Sequence, residues 1–191
     1  QDTAARLAHV DGHGQLEAAG GCLHVGADGV SDLVGRLSVL VPQFGSVLVN
    51  EAGAIVAREG GYQVSIGSGA LTGSATVRVD ELRADELPLP MPDGYSLAGA
   101  FHLEIDGAGL RESVQLAAPV DAAIPAGEQV FFLTDMEFLG PDGNQHRFWI
   151  VVDSGVVGED GIARTSSPPY PGLSRRGNVA IARANQPVIT T

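Results

Sequence analysis

Residues 129–152 read Gln129-Val130-Phe131-Phe132-Leu133-Thr134-Asp135-Met136-Glu137-Phe138-Leu139-Gly140-Pro141-Asp142-Gly143-Asn144-Gln145-His146-Arg147-Phe148-Trp149-Ile150-Val151-Val152. Two apolar, aromatic-rich runs, 129–138 and 146–152, flank a segment made of turn formers. Pro141 presets φ for a turn, and Gly143 or Asn144 takes the positive φ that reverses the chain. The stretch is therefore a β-hairpin. It holds Phe131, Phe132, Phe138, Phe148 and Trp149, half of the protein's aromatic residues, and is expected at the centre of the core.

The same grammar runs outward along the chain. Asp-Gly pairs stand at Asp11-Gly12, Asp28-Gly29, Asp93-Gly94, Asp106-Gly107, Asp142-Gly143 and Asp160-Gly161. Asp tolerates a left-handed backbone and Gly adopts it without steric cost, so each pair marks a tight turn. Strands are expected between them over residues 62–66, 75–79, 96–105, 113–117, 129–134, 147–152 and 178–183. In Ala75-Thr76-Val77-Arg78-Val79 the apolar side chains fall on one face of the pleat, as do Phe101, Leu103 and Ile105 against His102 and Glu104. Short strands at this spacing make an all-β fold, a sandwich or barrel; the antiparallel, immunoglobulin-like sandwich is the expected class.

The first part of the chain carries two open readings. Leu33, Val34, Leu37, Leu40 and Val41 have helical spacing, with Asp28 or Ser31 as a cap and Pro42 as a stop. Residues 38–41 and 46–49 also read as strands, and Gly35 weakens a helix. Residues 1–50 are thus an N-terminal extension, either a small β unit with or without a short helix or extra strands of the same sandwich. Residues 51–184 form the main domain, 51–61 being its joint, and 185–191 a tail ending in the β-prone Pro187-Val188-Ile189-Thr190-Thr191.

Composition removes several classes of function. The 191 residues include 11 basic and 23 acidic side chains, a net charge of −12, and every base is Arg. Such a surface repels phosphate backbones and anionic lipids, so nucleic acid is not an expected partner. No run reaches the roughly 18 uninterrupted apolar residues of a membrane helix, and membrane insertion is not expected. Cys22 is the only cysteine. It excludes an intramolecular disulfide and a cysteine-built metal centre, and is read as a small buried hydrophobe. The first residue is Gln1, the expectation for a chain processed from a longer precursor.

Catalytic signatures are missing from the sequence. No serine has glycines two positions away on both sides, as a hydrolase nucleophile turn requires. There is no phosphate loop and no lysine to serve one. His9, Asp11 and His13 alternate as strand-borne ligands would, but Gly12 and Gly14 make the segment a turn, so no metal and no cofactor is assigned. His102 is expected to face solvent, and Trp149 to be buried. The binding candidates are Tyr170, in the Pro-rich loop of residues 166–172, and Asp142 with Asn144 in the hairpin turn. The acids Asp80, Glu81, Asp85 and Glu86 add a loop of carboxylates. A carbohydrate- or calcium-binding module is the alternative that these residues support.

Residues 53–56, 62–66, Gly69-Ala70-Leu71 and 75–79 follow one another as a glycine-led strand, a second strand, a glycine-alanine-leucine turn and a third strand. Their order resembles the ZU5-type β-sandwich of large secreted and cell-surface bacterial proteins. Residues 147–161, 165–172 and 177–183 are similar to segments of such proteins, so the resemblance spans about residues 50–184. Here the turn is Gly67-Ser68-Gly69-Ala70-Leu71, without the family's proline. Some ZU5 proteins cleave themselves at a His-Phe-Ser step; that tripeptide does not occur here, and no autoproteolysis is carried over. The resemblance implies a non-enzymatic module that spaces, docks or adheres. Its partners would be neighbouring domains or other copies of the same protein, met through strand edges at the cell surface or after secretion.

Overall fold

The computed structural model describes residues 42–167 and 170–185, together with the backbone of three short strands near the N-terminus. The chain divides into two compact units, residues 1–39 and 40–191. In the first, β1 (His9–Val10), β2 (Leu16–Ala18) and β3 (Gly21–Leu23) form an antiparallel sheet in the order β1-β2-β3. The side chains of His9 and Cys22, and all of residues 11–15 and 24–41, lie outside the described residues. The same is true of the expected tail strand at 187–191 and of the open helix-or-strand reading at 33–41.

The second unit is one mixed sheet of eleven strands. In chain order they are β4 (Pro42–Phe44), β5 (Val47–Val49), β6 (Ala54–Ala57), β7 (Gln63–Ile66), β8 (Ala75–Glu81), β9 (Tyr95–Asp106), β10 (Gln115–Pro119), β11 (Gln129–Leu139), β12 (Gln145–Val157), β13 (Ile162–Thr165) and β14 (Gly177–Ala184). Across the sheet the order is β4-β6-β7-β10-β13-β12-β11-β14-β9-β8-β5. Among the described strands only the β4–β6 pair is parallel. The protein is all-β: among the described residues no α-helix occurs, and the one helical turn is the 3-10 turn Ala84–Glu86.

The sheet curls until its ends nearly meet. β4 and β5, the two edge strands, are consecutive in sequence and separated only by Gly45 and Ser46. One short length of chain therefore pairs with β6 on one edge and with β8 on the other, and the sheet is nearly closed into a barrel. The Arg58–Asp80 ion pair (3.3 Å) ties the end of β6 to β8 across the seam. On the far side, the amide of Asp121 donates to the carbonyl of Ala98 (2.9 Å), which holds the end of β10 against β9.

The interior is aliphatic, as the composition implies. Val56, Val64, Ile66, Val77 and Leu103 are completely buried at inward positions of their strands, as is Ile181 in β14, where four consecutive residues are buried. Three aromatic rings complete the core: Phe101, edge-on to Tyr62 at 5.9 Å, and Phe132. In the four described Asp-Gly pairs the glycine has positive φ, between 73° and 107°, as those turns require.

The structure departs from the sequence reading at four places. Residues 51–61 are not a joint: they contain β6, bounded by turns at Gly53 and at Gly60-Gly61. β10 begins two residues later than expected, because Val114 bridges instead to Leu173. The hairpin is central in the sheet but only half of it lines the core, as described next. Residues 42–49, assigned by the sequence to the N-terminal stretch, are strands of the same sheet.

Candidate functional site

β11 and β12 pair along their whole lengths, from Gln129↔Val156 to Leu139↔Gln145. Their neighbours are shorter. β14 pairs with β11 only over residues 131–134, and β13 with β12 only over 155–157. Residues 135–139 and 145–151 therefore leave the sheet as a two-stranded arm. No third strand pairs with either edge of it among the described residues.

Register sorts the arm's side chains into two faces. Met136↔Phe148 and Phe138↔His146 share one face. Phe138 stacks on His146 and meets Phe148 edge-on, both at 5.3 Å between ring centres. Phe138 is 45% exposed and Phe148 38%; Leu139, on the other face, is 70% exposed. A soluble protein leaves single apolar residues in water freely, but a packed aromatic group at the end of a projecting ribbon marks a contact surface.

The opposite face is polar and tied down. Arg147 donates to Asp135 through Nε (2.8 Å) and Nη2, and lies 3.5 Å from Glu137. Asn178 donates from Nδ2 to Asp135 (3.2 Å), and its Oδ1 meets Nδ1 of His102 at 2.8 Å. The Asp135 carboxylate only accepts, so Asn178 turns its oxygen to His102, and Nδ1 of that ring is the donor. His102, expected to face solvent, is half-buried within this network. Trp149 is likewise half-buried rather than buried. It stands opposite Asp135 on the outer face, and its indole nitrogen donates to the carbonyl of Pro90 (3.0 Å) in the loop between β8 and β9.

The turn candidates are brought together, but by bonds to each other. Asp142 accepts from the Asn144 amide (3.1 Å), from Asn144 Nδ2 (2.9 Å) and from His146 Nε2 (3.1 Å). These hydrogen bonds, those from Asn144 foremost, hold its carboxyl below the usual carboxylate range. The pair thus shapes the turn, as an Asx motif does. Tyr170 is half-buried, and no hydrogen bond or ring contact joins it to Asp142 or Asn144 among the described residues. Asp85 and Glu86 bind Arg83 within their own 3-10 turn, while Asp80 bonds Arg58 and Arg78.

Other polar groups are similarly engaged. Asp153 is completely buried, accepting from the Ser154 amide (2.8 Å) and from the Ser167 hydroxyl. No imidazole takes part in that cluster, and its bonds tie Ser167 to the Asp153 position of β12. Among the described residues no three His, Cys, Asp or Glu side chains converge as metal ligands, and no helix is long and apolar enough to cross a membrane. No protein-family model matches the chain, and no curated protein matches it.

Phe138 and Phe148 escape the sequence reading because their aromatic character reads as core. A signal existed in the relative lengths: the strands that flank the hairpin turn outrun any other alternating segment in the chain except β9, so part of the hairpin has no partner to cover it.

Proposed function

We propose that this chain is a non-catalytic structural and adhesive module of an extracellular bacterial protein, and that it joins other copies of itself through the β11–β12 arm. The observation that carries this reading is the arm itself: two open strand edges beside an exposed cluster of Phe138, Phe148 and His146. An open edge offers alternating N–H and C=O groups and accepts an added strand. The β12 edge over residues 145–151 carries His146 and Arg147 and no acid, in a chain of net charge −12. Arg147 is already neutralised by Asp135 and Glu137. Two such edges pair antiparallel about a two-fold axis without confronting unpaired like charges, and the same operation brings the aromatic faces of both copies to one seam. The finer fold assignment, an antiparallel sandwich of the ZU5 type with its two halves facing one core, belongs to this reading, as does placement at the cell surface or in the secreted fraction.

Sedimentation of the purified chain across a wide concentration range tests the reading. Reversible self-association is expected. A Phe138→Ser, Phe148→Ser variant with unchanged circular dichroism is expected to associate near thirtyfold more weakly, the loss of about 2 kcal/mol typical of an aromatic anchor. A strict monomer at every concentration overturns self-assembly. If that monomer binds glycans, and the double variant does not, the carbohydrate-binding alternative takes its place.

A further inference from the structure

Arginine is this protein's only strong cation, and acids outnumber it about two to one. Arg58, Arg78, Arg83, Arg147, Arg164 and Arg183 each reach a carboxylate at 2.5–3.3 Å. Arg111, Arg175 and Arg176 reach none among the described residues. In so acidic a chain, guanidiniums without a carboxylate are the exception among the described residues, and two of these three, Arg175 and Arg176, share one groove. Arg175 and Arg176 line a groove of about 400 Å³ between residues 107–110 and 174–176, and Arg111 directly follows its lining residue Leu110. Asp106 and Glu112 flank the same loop in sequence, yet neither comes within ion-pair distance of the three arginines.

The groove is shaped as well as charged. Its one wall is Gly107, Ala108 and Gly109, whose small side chains leave the space open. That wall is fixed by the Gly109 amide, which donates to Thr72 Oγ1 (3.1 Å), and by the Leu71–Leu110 bridge. On the facing wall, Arg176 donates from Nη1 to the carbonyl of Ile105 (3.2 Å), which pins its side chain while leaving further N–H groups free. Arg175 is half-buried and has no hydrogen-bond partner among the described residues. Arg176 is otherwise exposed. Two cations that line one concave site and have no carboxylate partner among the described residues make its field positive, and the concavity strengthens that field.

We infer that this groove binds an oxyanion, held by Arg175 and Arg176 in the forked geometry that guanidinium offers to carboxylate, sulfate or phosphate. The carboxylate of a uronic acid, a sulfate ester and a phosphate ester all present this chemistry of recognition. Calorimetric titration with galacturonate, sodium sulfate and inorganic phosphate, at constant ionic strength balanced with chloride, tests it and ranks the three sources. Saturable binding of at least one is expected. Arg175→Gln with Arg176→Gln is expected to weaken it at least tenfold, while Arg83→Gln, on the exposed 3-10 turn, leaves it unchanged. In the wild-type chain the bound anion is expected to protect Arg175 and Arg176 from phenylglyoxal, read by mass spectrometry, which keeps the test open if the double variant does not fold. Absence of saturation by all three anions overturns the site. So does equal weakening by Arg83→Gln, or equal phenylglyoxal labelling with and without anion.

Discussion

Tyr62 sits in the core against Phe101, and its hydroxyl is pushed up to about 12, first by burial and then by the charge of Glu81. In the unfolded chain the same group titrates near 10. Below that pH both states hold the proton, and the tyrosine's contribution is fully present. Between pH 10 and 12 the unfolded state releases its proton while the native state keeps it, so stability falls as pH rises through this window. Two units correspond to about 2–3 kcal/mol. Urea unfolding from pH 8 to 12 is expected to show this decline in the wild type and a shallower one in Tyr62→Phe; parallel curves for the two proteins would refute the assignment. Residues differ in how far sequence reveals them. The Asp-Gly glycines were legible because a turn is local. Gly155 was not: a Cβ there would lie 2.4 Å from the Arg164 carbonyl and 2.8 Å from the Phe132 ring, on two other strands. Nothing adjacent to Gly155 in sequence announces that approach.

At the scale of elements, the hairpin shows both sides of this divide. Its two strands and the Pro141–Gly143 turn follow from residues 129–152 alone, and Gly143 takes the positive φ (77°). Which half of it is buried does not follow, because that is set by where β13 and β14 stop. The periodicity of Phe132, Thr134, Met136 and Phe138 is uniform, yet burial ends after Thr134. The polar candidates are bound by a related local constraint. Asp142 and Asn144 have the chemistry of ligands, but at a spacing of two residues in a turn the nearest partner for each is the other. Asp142→Ala is therefore expected to leave the melting temperature nearly unchanged and to speed hydrogen exchange at the Asn144 amide, which loses its acceptor. Unaltered exchange at Asn144 would show that the backbone holds the turn without this side chain.

For the molecule as a whole, the decisive segment is residues 42–49. Val47 and Val49 point into the core, while Phe44 and Leu48 are exposed. The pattern identified β5 as a strand but not its place, since pairing with two opposite edges is a property of the closed sheet and leaves no local trace. Both edge strands are three residues long, and short edges resist unwanted pairing. A chain of residues 51–191 exposes β6 and β8 in their place. Compared with a chain of residues 40–191, it is expected to melt at lower temperature and to aggregate on concentration; equal melting and equal solubility would show that the closure is dispensable. The same segment has a mechanical consequence. A tether pulling at residue 40 against one at residue 185 puts the same force on the short β4 edge as on β14, which is held on both sides between β9 and β11. Tension would first rupture this latch and let the cylinder open, so a module hung between an anchor and a load would yield at a defined point while most of its strands stayed paired.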